Sequence, residues 1–461
     1  MSAMFRSLRG YNYRVWFIGA LVSNIGAWMQ ATTQNWVVLT DLTDNDAVAV
    51  GATMALQFGP QLVLVPITGL IADRFNKRTI LFCTQSALML LAIALGCLLL
   101  FGHAELWHLY LFALLLGIIN AVDSPARQTF VAELVSDHNM TNAVALNAAS
   151  FNSARLIGPA VAGVLIVGIG AGWVFIVNSA TFIAVLVALS MLKTSQLRVF
   201  PTATRRRGDI VEGFRYVAGR PDLIVVFSIV FLIGAFGMNF PIFASTMAVE
   251  FGRGAGEFGL LSSILAIGSL TGALLAARRS AARMRVIVLA AAGFGVSAIA
   301  ASLMPTFWTF AFSLVFIGFS TVTLMTTANG LVQTTTDPAV RGRVMALYMA
   351  ILMGGTPIGA PIVGAVANAF GPRWSLVVGG VAGLLAAGIA VAWVLGSSRM
   401  SVGRQPESRW RLVVTQREPG AGLGPEDFSE PVALTSPITL PLPPVGGRRS
   451  HEPTRSRVNG E

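Results

Sequence analysis

The stretch Gly69-Leu70-Ile71-Ala72-Asp73-Arg74-Phe75-Asn76-Lys77-Arg78 decides the fold. A bilayer core tolerates charge poorly, so this dense charged run belongs at a membrane edge. Apolar segments of spanning length flank it, Ala47 to Ala72 before and Ile80 to Phe101 after. The run therefore reads as a tight loop joining two transmembrane helices.

The rest of the chain repeats that pattern. Of 461 residues, 54% are hydrophobic and only 11% charged, where a soluble domain carries about a quarter charged residues. Apolar segments of spanning length fall at 15–39, 47–71, 79–102, 107–123, 143–169, 173–192, 223–247, 257–277, 285–304, 307–328, 343–369 and 374–396, twelve in all. The first has no small-residue cleavage site after it and reads as a retained span. An even number places both termini on one side. With the termini cytoplasmic, all of the thirty Arg and two Lys except Arg253 and Arg373 fall in tails, cytoplasmic loops or the cytoplasmic part of a helix. The formal charge of +11 is then topology plus attraction to an anionic leaflet, and no basic groove with interleaved aromatics suggests nucleic acid. Cys83 and Cys97 lie on one helix, about 21 Å apart at 1.5 Å per residue, and cannot pair with each other.

The spans divide six and six: a first half over 1–192, a cytoplasmic linker over 193–222 with a surface-lying helix near Ile210 to Val217, a second half over 223–396, and a Pro-, Gly- and Arg-rich tail over 397–461 expected to be disordered. The halves echo each other. Asp137, Val144-Ala145-Leu146-Asn147, Ile157-Gly158-Pro159 and Gly163 are followed about two hundred residues later by Asp337, Met345-Ala346-Leu347-Tyr348, Ile358-Gly359 and Gly364. Duplicated six-helix units with a site between them are a recurring transporter design.

Gly69-x-x-x-Asp73-Arg74-x-x-Lys77-Arg78 between the second and third spans resembles the loop signature of the major facilitator superfamily. Trp28-Met29-Gln30, Asp123-Ser124-Pro125-Ala126-Arg127-Gln128, Ala143 to Asn147, and Asn152-x-Ala154-Arg155-x-x-Gly158-Pro159-Ala160-x-Ala162-Gly163 are similar to its enterobactin exporter-like group, which includes macrolide efflux proteins. The resemblance covers about residues 10 to 396. It implies an all-α membrane protein of twelve helices in two pseudo-symmetric halves, multi-pass in the inner (cytoplasmic) membrane with both termini cytoplasmic. It further implies secondary export of siderophores, drugs or other amphiphilic small molecules by proton antiport, so that multidrug efflux also falls within the expectation.

Within that frame Gly69, Asp73, Arg74, Lys77, Arg78, Asp123 and Arg127 form the expected cytoplasmic gate. Asp73 would face the start of the eleventh span, a helix N-terminus with partial positive charge, for which Asp337 is the expected cap and Pro338 the first helical residue. Arg74 would pair with Asp123. The bland alternative makes Arg74, Lys77 and Arg78 ordinary positive-inside anchors. Asn76 stands where the family usually has Gly, and positive φ is expected there. In the second half Ala273 and Ala277 replace the Gly and Asp, so the latch is one-sided.

The expected substrate cavity draws on Asn24, Trp28, Gln34 and Asn35 of the first span, Asn152 and Arg155 of the fifth, Asn239 of the seventh, and Thr323 and Thr327 of the tenth. Arg155 is the sharpest, a charge well inside a span. It receives a polar or anionic group of the substrate, or it pairs with Asp123 or Glu133 and braces the bundle; the residues alone leave both open. Thr side chains often bond their own helix backbone, which weakens those candidates. Gly158, Pro159 and Gly163 are expected to serve close helix packing and a bend.

No nucleotide-cradling Gly-x-x-x-x-Gly-Lys-Ser/Thr loop occurs. The four His have no metal-ligand spacing. No nucleophile has a base beside it. An enzyme, a cofactor and a metal are therefore not expected. No carboxylate lies deep in an expected span, which leaves the energy source without a residue. The expected partners are a small-molecule substrate and membrane lipid, with no nucleic acid, and the chain is expected to act as a monomer. A membrane assembly or sensor protein on the same fold is the alternative to an exporter, and import the alternative direction.

Overall fold

The computed structural model describes residues 3–198, 209–279 and 281–397. The expectations for the tail beyond residue 397 and for residues 199–208 of the linker fall outside these, as do the side chains at 65–67, 69–70 and 72–73. The described chain is helical throughout: α1 Tyr11–Trp36, α2 Ala47–Arg74, α3 Lys77–Leu100, α4 Leu106–Leu134, α5 Met140–Ile169, α6 Ala171–Met191, α7 Asp209–Ala218, α8 Pro221–Leu232, α9 Phe240–Glu250, α10 Ala255–Ala277, α11 Met284–Ser302, α12 Phe307–Thr335, α13 Arg341–Phe370 and α14 Pro372–Ser397. Each of the twelve expected segments falls on a helix. Among the described residues eleven segments are long and apolar enough to cross a membrane. The remaining one is α1, about 39 Å long at 1.5 Å per residue, whose load of Asn12, Asn24, Gln30, Gln34 and Asn35 makes it more polar than the rest.

Several local expectations are corrected. The seventh span is not one helix: α8 passes through a π-turn over Ile233–Gly237 before α9 begins. Pro241 has no N–H for the carbonyl of Gly237, and its ring crowds that carbonyl, so the ladder breaks there. Helix α13 seats on the break through Gly355 and Gly359, and a Cβ at Gly355 would lie 2.6 Å from the Ala235 nitrogen. Asn76 has φ −61° rather than a positive value, because it is the N-cap of α3 and accepts from the N–H groups of Arg78 (2.9 Å) and Thr79 (3.4 Å). Asp337 caps the turn before α13, accepting from Ala339 N at 2.9 Å, while the helix itself starts at Arg341. Helix α4 continues to Leu134, well beyond the expected end at Asp123.

The helices α1 to α6 pack mainly among themselves, and so do α8 to α14. The two most extensive crossings between these sets are α2 with α13 and α5 with α10. Both depend on small residues that let backbones approach. A Cβ at Gly51 would come within 2.5 Å of the Ala360 carbonyl oxygen, and one at Gly163 within 3.0 Å of the Ala255 and Gly256 oxygens. The amphipathic α7 attaches to the second set through a 2.7 Å ion pair between Glu212 and Arg343.

Candidate functional site

Three places in the bundle concentrate polar side chains that an apolar core would otherwise exclude. The first is the buried carboxylate of Asp123, 5% exposed, on α4. It accepts from Thr84 Oγ1 at 2.6 Å and Gln85 Nε2 at 2.8 Å on α3, and pairs with Arg127 Nε at 3.0 Å one turn further along its own helix. The Arg127 guanidinium lies over the Trp16 ring of α1, 5.8 Å from its centroid, and its Nη1 is buried without a partner. Three helices thus converge on one carboxylate. Helix α4 runs on for about 16 Å past Asp123.

The second is the crossing of α1 and α5. Gly158 permits it: a Cβ there would lie 2.6 Å from Trp28 Cβ and 3.0 Å from the Ile25 oxygen. Close approach brings Trp28 edge-to-face with Phe151 (5.6 Å) and under the guanidinium of Arg155 (5.6 Å). Asn24 Nδ2 donates to Ser150 Oγ at 3.4 Å beside them. Arg155 is half-buried, flanked by exposed Phe151 and Ile157. Neither suggested bracing partner is available to it, since Asp123 is held by Thr84, Gln85 and Arg127, and Glu133 takes Lys77 at 2.6 Å. A cation–π contact contributes about 0.5–2 kcal/mol, whereas a central arginine costs about 2.5–3.5 kcal/mol on the insertion scale. The Trp28 contact therefore leaves Arg155 an under-compensated cation.

The third joins the two helix sets at the Asp46 end. Asp46 caps α2, accepting from Val48 N (2.8 Å) and Ala49 N (3.2 Å), and its Oδ1 also accepts from Asn368 Nδ2 of α13 at 2.6 Å. Asn368 Oδ1 in turn accepts from Ala47 N at 2.8 Å. The exchange is reciprocal, one side chain capping across the crossing to the other helix. Nearby, Trp36 stacks on Phe258 at 5.7 Å. The sequence reading missed Asp46 and Asn368, although Asp46 before an apolar run is a legible N-cap. Asn368→Ala is expected to remove both bonds to α13, a loss of about 1.5–3 kcal/mol for the charge-assisted one. Thiol labelling of a cysteine at Thr246, which lines the same depression, should speed up; unchanged labelling would show that this contact does not hold the end shut.

The remaining expected site residues scatter. Arg74 is exposed and does not reach Asp123, which is satisfied within its own helix set. Lys77 ties the start of α3 to Glu133 of α4, and Arg78 Nε donates to the Leu189 carbonyl of α6 at 2.8 Å, so both brace the first set. The side-chain contact expected of Asp73 lies outside the described residues, and Gly69 beside it is likewise not described beyond its helical backbone. Gln34, 1% exposed, donates to Gln57 Oε1 at 3.2 Å. Asn35, Asn152, Asn239 and Thr327 each donate to a carbonyl one turn back on their own chain. Thr323 lines a groove between α11 and α12, away from Arg155. Pro159 presents its carbonyl to Gly259 of α10, and Gly163 packs on the same helix. Gln30 and Asn178 form a buried hydrogen bond between α1 and α6 that the sequence reading also missed.

Solved structures with this helix arrangement are transporters. A bacterial homologue of the human lysosomal transporter Spinster, in an inward-facing and unoccupied conformation, superposes with a TM-score of 0.65 at 16% identity over 83% of this chain and 97% of its own. A D-xylose-proton symporter gives 0.65 at 14% identity over 84% and 97%. The fold is thus that of the major facilitator transporters. Within it, the chain belongs to the transmembrane secretion effector family, whose profile matches residues 2–415. A staphyloferrin A transporter of Staphylococcus aureus is 28% identical over 57% of this chain and 66% of its own length. The enterobactin exporter EntS of Citrobacter koseri is 24% identical over 77% and 85%. The family and these relatives are transporters, not enzymes, and they move small molecules across membranes.

Proposed function

We propose that this protein is a secondary exporter that carries an anionic, amphiphilic small molecule of the siderophore kind out of the cell, driven by proton entry. The observation that carries the reading is Arg155, an arginine within a span whose side chain has, among the described residues, no ion-pair or hydrogen-bond partner and lies over the Trp28 ring, its candidate carboxylates being engaged elsewhere. An unpaired intramembrane cation beside an aromatic ring suits a ligand that is anionic at one end and apolar or aromatic at the other. The names of two relatives point to the same chemistry, since one transports staphyloferrin A and the other exports enterobactin.

Direction and energy follow from topology and Asp123. The positive-inside distribution supports cytoplasmic termini. The two helix sets then act as halves, 1–192 and 223–396, with the Asp46 end outside and joined by the Asp46–Asn368 exchange, and with Arg155 meeting substrate that enters from the cytoplasm. Asp123 supplies a buried carboxylate near the cytoplasmic end of the span. Its protonation would weaken the hold on Arg127, coupling a proton to rearrangement of α1, α3 and α4. Lipids surround the twelve spans, and one chain is a complete unit of the mechanism.

Asp73 remains the proposed cytoplasmic latch toward the start of α13. Asp73→Asn is expected to lower transport severalfold with normal membrane insertion; full activity in a quantitated membrane fraction rejects the latch. For the function itself, siderophore content is compared in cells with and without the gene, with and without a proton uncoupler. Lower intracellular content that the uncoupler abolishes supports proton-driven export, and unchanged content for carboxylate and catecholate siderophores alike counts against it.

A further inference from the structure

The loop between α10 and α11 carries Arg278, Arg279 and Arg283, the first turn of α11 adds Arg285, and from Phe258 to Thr336 the chain has these four arginines and no acid. All four are exposed, and among the described residues none has an ion pair or a side-chain hydrogen bond. At other helix ends basic side chains are commonly engaged: Lys77 with Glu133, Arg198 with Asp137, Arg220 with Asp222, Arg343 with Glu212 and Arg373 with Glu250. Positive-inside topology accounts for basic residues in this loop. It does not account for the groove that Arg279 lines.

Arg279 stands at one end of a groove of about 620 Å³ between α11 and α12. Small residues of α11, Ala290, Gly293 and Ser297, form its trough, and Phe312 and Phe316 of α12 form a wall. Gly293 leaves the trough deep, because the nearest atom a Cβ would meet is Ser320 Oγ at 3.1 Å. The rims are apolar and open, with Leu289 72% and Phe312 65% exposed. On helices of spanning length such a rim faces lipid. Thr323, 3% exposed, lines the groove near the same end, and its buried hydroxyl lies beside Gly272 of α10. Thr321, Thr326 and Thr327 on the same helix all donate to a carbonyl one turn back.

We propose that this groove is a binding site for one anionic phospholipid, its acyl chain lying along the α11 trough and its phosphodiester held by Arg279 with Arg283 and Arg285 around it. An acyl chain matches a long apolar slot that opens sideways to the bilayer, and a phosphodiester supplies the charge that four unpaired arginines lack. Basic pockets between membrane helices at the headgroup level bind anionic lipid in this way. The site lies on the outer face of α11 and α12, away from Arg155 and Asp123, and does not rest on the transport reading.

The test is lipid binding to the purified full-length protein, measured by native mass spectrometry and by thermal unfolding in detergent. Phosphatidylglycerol is compared with phosphatidylcholine of the same chains, and with glycerol phosphate as the headgroup without chains. A single retained phosphatidylglycerol is expected, preferred over phosphatidylcholine by at least tenfold, with no protection by glycerol phosphate. Neutralising Arg279, Arg283 and Arg285 together to Gln is expected to weaken binding by roughly tenfold to hundredfold, at about 1 kcal/mol for each arginine near the surface. Ser297→Phe fills the trough and should remove the retained lipid while the four arginines stay. Equal binding of the two lipids, equal protection by glycerol phosphate, or undiminished selectivity in either variant would overturn the proposal.

Discussion

Replacing Arg155 by Gln is expected to raise KM for an anionic siderophore by about tenfold to hundredfold and to leave a neutral amphiphile unaffected. A hydrogen bond to a charged group contributes about 1.5–3 kcal/mol, and each 1.4 kcal/mol is about tenfold in affinity. The substitution removes a cation that, among the described residues, is compensated by the Trp28 ring and partial solvation. Membrane abundance should therefore hold steady or rise, which separates a role in recognition from one in bracing. If Arg155 braced the bundle, its loss would lower abundance and affect neutral and anionic compounds alike. Arg155→Lys should recover part of the affinity, because an ammonium keeps the charge but lacks the planar fork that matches a carboxylate. The measurement is initial transport rate against concentration for one charged and one uncharged compound in the same membranes.

The second large effect is expected at Asp123. Asp123→Asn retains an oxygen to accept from Thr84 and Gln85 but loses the charge that faces Arg127. Proton-driven accumulation should fall more than tenfold, while exchange of substrate across the membrane without a gradient continues. The stranded guanidinium also costs stability. Breaking a fully buried pair costs about 3–5 kcal/mol, and a smaller loss is expected here because the Arg127 side chain retains 19% of its exposure. The double substitution Asp123→Asn with Arg127→Gln is expected to regain stability without regaining coupling. Uncoupler-sensitive transport at the normal rate in Asp123→Asn would remove Asp123 from the energy-coupling step.

How much of this was legible in the sequence depends on which kind of force positions each residue. Span positions were legible because apolar length is a one-dimensional property: all twelve expected segments fall on helices. Helix continuity was not. The break in the seventh span comes from Pro241 acting together with tight seating of α13 on Ala235, and the second half of that cause is tertiary. Arg155 stood out because a charge in an apolar run is visible in any alignment of hydropathy, but its choice among partners was decided by where Lys77 and Arg127 reach, which only the packing fixes. The end of α4 was placed too early because the apolar run thins after Asp123, while the helix carries on through Pro125 to Leu134. The Asp46–Asn368 exchange joins residues about three hundred apart in sequence, and neither partner alone announces the other. Asn76 shows a subtler limit: it was rightly read as turn chemistry, but N-capping of α3 rather than positive φ is the way it is used.

The central claim is that Arg155 receives an anionic substrate moving outward. Inside-out membrane vesicles test it most directly, through uptake of a labelled carboxylate siderophore after a vesicle-acid pH gradient is imposed. The account predicts uptake by vesicles containing the protein, its collapse on adding an uncoupler, and its loss in Arg155→Gln vesicles matched for protein content. Uptake by the Arg155→Gln vesicles at the unsubstituted rate would contradict it.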